Sequence, residues 1–292
     1  GSVSFSTALS SPGPGAWSTG GVLSEPRYLL AGAGTQTAGL AFGGYGSGGY
    51  VSCTEEYNGG SWATGGPLIR RSYGLAGAGT QTAGLAFGGY NSYLCTEEYD
   101  GTSWTAGGVA IVGMRKSLAG AGIQNAALAF GGDGGSGNCT QEYDGSSWSV
   151  GGILNASRGF LAGAGTQTAG LAFGGVNAAQ LSCTEEYDGA SWSTGGALLT
   201  ARRELAGAGT QTVGLAFGGI TSNQASRVSC TEEYNGTSWS AGGALITPKF
   251  GLAGAGTQTA GLAFGGKTSS PSSGTEEYSP STTLALTKTF DY

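Results

Sequence analysis

LAGAGTQTAGLAFGG, Leu161–Gly175, is the stretch on which the fold turns. It recurs unchanged from Leu30, Leu75 and Leu252, and with small changes from Leu118 (LAGAGIQNAALAFGG) and Leu205 (LAGAGTQTVGLAFGG). The six tryptophans keep step with it: Trp17, Trp62, Trp104, Trp148, Trp192 and Trp239 are spaced by 45, 42, 44, 44 and 47 residues. A fixed period of this length marks a repeat architecture. Helical repeats have similar lengths, but glycine costs about 1 kcal/mol relative to alanine inside a helix. This unit carries glycine at nearly every turn.

Turn signals every 8–12 residues suit short strands. Each unit divides into four. LAGAG is the first strand, TQT the turn, and GLAFGG the second strand with a glycine stop. A loop of changing length follows. CTEEY is the third strand, ended by Asp-Gly or Asn-Gly, a hairpin signal, and the fourth begins at tryptophan. Four-stranded units at this period predict an all-β chain: a six-bladed β-propeller of four-stranded antiparallel blades. The chain enters at a fourth strand around Trp17 and leaves after a third strand at Thr275–Tyr278. The N-terminal strand is therefore expected to complete the last blade and remove a free edge. The expected organisation is an N-terminal extension (1–15), the propeller (16–279) and a C-terminal extension (280–292).

The succession of Arg, small-residue strand, apolar strand with Gly-Gly, then Tyr, then Trp resembles the kelch repeat. The likeness covers about residues 16–279, although Trp follows Tyr more closely than kelch units usually have it. No Trp-Asp dipeptide occurs, which excludes a WD repeat. Asp100-Gly101-Thr102-Ser103-Trp104 misses the sialidase Asp-x-Gly-x-x-Trp pattern. The wording LAGAGTQTA and TEEYDGTSW is also similar to kelch-like proteins encoded by marine bacteriophages. That resemblance implies a virion component, for capsid decoration or tail adsorption, whose partners are other virion proteins or a host-surface glycan or protein. Its implied location is a virion or extracellular surface.

Composition narrows the function. Charged residues are 10 % and the net charge is −6, so nucleic acid is not an expected partner. There is no histidine, which removes the usual general base and the commonest metal ligand. No cofactor or metal is expected, nor membrane insertion, and no signal peptide is visible. The expected role is a non-enzymatic binding or structural module. The alternative is a glycan-acting enzyme or a free lectin on the same scaffold.

Nine of the twelve basic residues sit just before a first strand, among them Arg27, Arg71, Arg115, Arg158, Arg202 and Lys249. Eleven of the eighteen acidic residues lie in the TEEY strands. Two readings follow: Arg and Glu of adjacent blades pair, or the cations ring one channel mouth. Alternating strand direction puts the 2–3 and 4–1 loops on one face, where sequence varies, and the near-constant turns on the other. The varied face is the candidate binding face, with drift in unselected loops an equally economical explanation of its variation. Its candidate ligand residues are those six cations with Tyr45, Tyr50, Tyr90 and Tyr93. Gln36, Gln81, Gln124, Gln167, Gln211 and Gln258 form a second candidate ring on the constant face, with turn-stabilising hydrogen bonds as the favoured reading over a sugar or ion site. Cys53, Cys95, Cys139, Cys183 and Cys230 share one position per unit and are expected as buried thiols between blades, too far apart for disulfides, with a metal ring as the remote alternative. VSFSTAL (Val3–Leu9) and TTLALTKTF (Thr282–Phe290) read as strands that pair with each other or with a partner chain.

Overall fold

The computed structural model describes residues 2–8, 15–90, 95–109, 116–133, 137–221, 226–281 and 285–291. Among them every regular element is a strand. Six four-stranded antiparallel sheets follow the repeat, giving a propeller-like all-β architecture. Sheet 1 is Ala31–Gly34, Gly39–Phe42, Thr54–Tyr57 and Trp62–Gly65. Sheets 2 to 5 begin at Ala76, Ala119, Ala162 and Ala206 and repeat this order. Sheet 6 takes three strands from Phe250–Gly256, Gly261–Lys267 and Thr275–Ser279. Its fourth is Ala16–Thr19, which pairs with the third so that Trp17 faces Tyr278.

The first strands lie side by side in sheet order, and that of sheet 6 lies beside that of sheet 1. Their alternation explains the glycines. Ala76 and Ala78 are buried, whereas a Cβ on Gly77 would sit 2.7 Å from both the Gly32 carbonyl oxygen and Phe42 Cζ. Only glycine lets the backbones come this close. The next strand, Gly-Leu-Ala-Phe, is buried throughout, and the following pair turns the chain out through left-handed backbone (Gly43 φ 63°, Gly44 φ 109°).

Each core cluster joins two consecutive sheets. One combines Leu85 and Phe87 with Tyr143 and Trp148 of the next. Another combines Leu215 and Phe217 with Trp17 and Tyr278. Two sets of side-chain bonds follow the same step. Trp104 Nε1 donates to Thr54 Oγ1 one sheet back, and so do Trp148 to Thr96, Trp192 to Thr140, Trp239 to Thr184 and Trp17 to Thr231, all at 2.8–2.9 Å. Trp62 of sheet 1 donates to Thr275 of sheet 6. The buried tyrosine hydroxyls donate to the second glutamate of the preceding sheet, as in Tyr99 to Glu56 and Tyr57 to Glu277, both at 2.6 Å. The tryptophans and tyrosines thus form the inter-sheet core, as expected.

Burial, then the bonded glutamate, push the Tyr99, Tyr143, Tyr187 and Tyr234 phenols up to about 12. The folded state holds each phenol protonated, so its contribution is complete below the ordinary value near 10 and is lost as pH rises from there through about 12. Stability is expected to fall over that window. Phenolate absorbance at these four positions should then develop only together with loss of tertiary structure. Early titration of all tyrosines in a still-folded chain would contradict it.

The termini pair with each other. Ser2–Ala8 lies antiparallel to Ala285–Asp291 with Ser2 opposite Asp291, forming a separate two-stranded sheet.

Candidate functional site

The two faces separate as strand direction requires. On the constant face, the side chains of Asn58, Asp100, Asp144, Asp188 and Asn235 cap their own turns. Asp100 Oδ1, for example, accepts from the Thr102 and Ser103 amides at 2.8 Å. Those amides hold the Asp100 carboxyl below its ordinary value. The glutamines do make hydrogen bonds from their turns, but to the preceding sheet. Gln81 Nε2 donates to the Gly39 oxygen at 3.0 Å and the Tyr57 oxygen at 2.6 Å, both one sheet back. Gln124, Gln167, Gln211 and Gln258 do the same, and Gln36 reaches Gly261 and Tyr278 of sheet 6. Both amide protons are thereby used in fastening sheets together.

The cations expected at the other face are mostly internal. Arg27, Arg158, Arg202 and Lys249 are at most 1 % exposed. Each pairs with the first glutamate of its own unit: Arg27–Glu55 at 3.1 Å, Arg158–Glu185 at 2.9 Å, Arg202–Glu232 at 3.2 Å and Lys249–Glu276 at 3.1 Å. Both expectations are corrected: the pairs lie within one unit rather than across adjacent ones, and these four present no charge to a channel mouth. Burial pulls all four cations below their ordinary values and the paired carboxylates oppose it. The guanidinium also donates to the carbonyl of the neighbouring cysteine, as Arg27 does to Cys53 at 2.8 Å.

Sheet 2 differs. Counted back three residues from the first-strand leucine, as Arg27 is from Leu30, its equivalent position is Ser72, 2 % exposed. Arg71 stands one residue earlier and is exposed. Arg115 and Tyr93 lie outside the described residues. The five cysteines are free and half-buried, less enclosed than expected. Burial pushes the Cys183 thiol up, and Arg158 Nη1 contacts its sulfur.

The varied face carries the broken symmetry. Arg27–Tyr28, Tyr45–Gly46 and Gly49–Tyr50 form a small three-stranded sheet there. It gathers a continuous patch of half-buried tyrosines: Tyr28, Tyr45, Tyr50, Tyr73 and Tyr90, with neighbouring ring centroids 5.0–5.7 Å apart. Lys267 Nζ sits 4.8 Å from the Tyr28 ring centre and Lys116 Nζ 5.9 Å from that of Tyr90. Tyr45, Tyr50 and Tyr90 were legible as loop aromatics. Tyr28 and Tyr73 were not, because they hide in the connection before the first strand.

One more recurring position has no signature in the sequence. The residue before each first-strand leucine is Leu29, Gly74, Ser117, Phe160, Glu204 or Gly251, and all six have left-handed backbone with φ of 52–64°. Their amides form a circuit. Leu29 donates to the Gly251 oxygen, Gly74 to Leu29, Ser117 to Gly74, Phe160 to Ser117, Glu204 to Phe160 and Gly251 to Glu204, at 2.6–2.9 Å. Four of the six are not glycine, and each carries roughly 1–3 kcal/mol of strain. The circuit rims an 80 Å³ cavity. Burial pushes the Glu204 carboxyl up, and Arg203 Nε lies 3.7 Å from it. A second cleft of about 240 Å³ opens on the same face between Asp133, Phe160 and Asn177. Among the described residues no group of three histidine, cysteine or acidic side chains is placed to hold a metal ion.

No protein-family model matches the chain, and neither does any curated protein.

Proposed function

We propose that the chain is a closed six-bladed β-propeller of kelch-like type, its ring completed by Ala16–Thr19, that acts as a non-enzymatic recognition module. The varied face binds, and its ligand is a glycan at a host or particle surface. By the phage-like wording of its repeat, the chain serves as a virion component.

The tyrosine patch carries this reading. In an otherwise near-identical repeat, five rings gather over sheets 1 and 2, with two lysines at the margin. Half-buried phenols offer an apolar face and a polar edge together, which suits the faces and hydroxyls of sugar rings. Their packing against one another fixes them before a ligand arrives, so little side-chain entropy is given up on binding. The internal ion pairs favour the aromatic patch over a cationic ring as the recognition element.

The test is an array of defined bacterial-surface and animal glycans probed with the full chain. A retained glycan should bind at least about 10-fold more weakly to Tyr50→Ala and Tyr73→Ala, as expected when a central aromatic anchor is truncated. Thermal stability should change little, because both rings are half-exposed. Asp100→Ala, on the opposite face, should bind normally. Binding that survives both tyrosine changes, or turnover of a glycan abolished by one carboxylate substitution, would overturn the reading.

A further inference from the structure

Among the described residues, sheet 2 is the one sheet with a non-basic residue three positions before the first-strand leucine. Its surroundings are otherwise those of its neighbours. In sheet 5 the Arg202 guanidinium meets the Cys230 oxygen at 3.0 Å, the Ala216 oxygen at 3.4 Å and the Glu232 carboxylate. Sheets 1 and 4 repeat that triad around Arg27 and Arg158. In sheet 6 an ammonium stands there instead: Lys249 Nζ donates to the Gly274 oxygen at 3.3 Å and pairs with Glu276.

The equivalents in sheet 2 are Ala86, Cys95 and Glu97, and all three line a small cavity beside Ser72, which the exposed Arg70 also borders. Glu97 is 6 % exposed. Its oxygens accept from the Ile69 and Arg70 amides at 2.7 and 3.2 Å, just as Glu232 accepts from Leu199 and Thr200 while also holding Arg202. Burial pushes the Glu97 carboxyl up. The Ser72 hydroxyl does not turn to Glu97; it donates to the Tyr90 oxygen at 2.9 Å. Among the described residues Glu97 makes no ion pair within 4 Å; the exposed Arg70 only partly offsets the burial of its carboxyl from further away.

The cavity is about 10 Å³, enough for one water-sized particle. Its lining offers one carboxylate and main-chain oxygens, which are hard ligands. Arg70 is exposed and does not pair with the carboxylate, so the place that the Arg202 guanidinium fills in sheet 5 holds no positive charge in sheet 2. We propose that the cavity beside Ser72 is a binding site for a single small monovalent cation, ammonium or potassium, held by the Glu97 carboxylate and the Ala86 and Cys95 carbonyl oxygens. The cation takes the place that Lys249 Nζ occupies in sheet 6 and locks sheet 2 as the built-in cations lock the others. This site is independent of glycan recognition by the tyrosine patch.

The experiment compares thermal midpoints of the full chain in ammonium, potassium and tetramethylammonium chlorides at equal ionic strength. The midpoint should rise by roughly 3 °C or more in the first two, increasing with concentration as a ligand bound only by the folded state requires. Tetramethylammonium is too large to enter. Ser72→Arg should remove the difference by supplying the cation covalently. Glu97→Gln should remove it by deleting the charge, which keeps the test decisive if the arginine overpacks. Equal midpoints in all three salts would show that water alone occupies the cavity and would overturn the proposal, as would discrimination that persists in both variants.

Discussion

Arg202→Met is expected to lower the stability of the chain by about 3–5 kcal/mol, the cost of leaving a buried charge without its partner. Arg202 is fully buried, and its guanidinium ties the Glu232 carboxylate to the Cys230 and Ala216 carbonyls. Methionine fills much of the volume but donates nothing, so Glu232 stays behind among apolar groups. A melting point lower by about 10 °C follows at this chain size. Arg71→Ala, an exposed arginine in the neighbouring register, should stay within about 0.5 kcal/mol of the parent. The double change Arg202→Met with Glu232→Gln separates charge from packing. Glutamine keeps one acceptor oxygen where Glu232 uses two, Oε2 for the Leu199 amide and Oε1 for the Thr200 amide, and it carries no charge, so part of the stability should return. Sheet 3 already has that residue, Gln141, at the same place. Equilibrium unfolding in urea measures all three. A single variant within about 1 kcal/mol of the parent would mean that the pairs contribute little to stability.

The strand pattern was legible because each strand answers to a local demand. Alternating Ala-Gly suits a crowded inner strand. An apolar run suits a strand buried on both faces. Asp-Gly and Gly-Gly supply the left-handed residues at its ends. The ion pairs were half legible. Both partners were visible in sequence, but which glutamate each arginine meets depends on how the connection folds back over its own sheet. In sheet 2 the run Arg70-Arg71-Ser72 offered an arginine one residue out of register. The constant offset from the leucine, three residues in sheets 1, 4, 5 and 6, was the signal that would have found Ser72. The circuit of left-handed residues left no trace in composition, since Leu, Gly, Ser, Phe and Glu share no propensity for that backbone. Tertiary hydrogen bonds from sheet to sheet impose it. The glutamines show the same limit: a turn residue looks local until its neighbour's carbonyls are in place.

The division between the faces has a physical basis. Gln, Tyr and Trp each bond backward to the preceding sheet, and all three lie in the invariant part of the repeat. Sheet-to-sheet fastening therefore tolerates almost no change there. The 2–3 loops and 4–1 connections are fastened mainly by backbone bonds, by connection amides that donate to the first glutamate of the unit and, in sheets 1, 4, 5 and 6, by one internal ion pair per unit. Their remaining side chains are at liberty to differ, and they do: tyrosines over sheets 1 and 2, Phe160 and Arg203 further round. Near-identity in the repeat and variety on one face are two results of the same bonding scheme.

That scheme makes the N-terminal strand as important as any interior one. Trp17→Ala is expected to cost about 3–5 kcal/mol, as for a large buried aromatic elsewhere. Trp17 is 7 % exposed, lies 4.9 Å from Phe217 and 5.0 Å from Tyr278, and donates to Thr231 at 2.9 Å. It thus joins Ala16–Thr19 to sheets 5 and 6 at once. Trp239→Ala provides the interior comparison, since Trp239 packs in the same way against Phe173 and Tyr234 and donates to Thr184. If Ala16–Thr19 closes the ring, the two variants should be destabilised to a similar degree, each in a single cooperative transition. Their chain connectivity differs, but their packing does not. A small effect of Trp17→Ala beside a large one of Trp239→Ala would mean that the N-terminal strand docks weakly and leaves the ring open between sheets 6 and 1. Hydrogen exchange distinguishes the cases: in the parent chain the amides of Thr275–Ser279 should be as protected as those of Thr231–Tyr234. Fast exchange confined to the former would place the open edge at the Ala16–Thr19 seam.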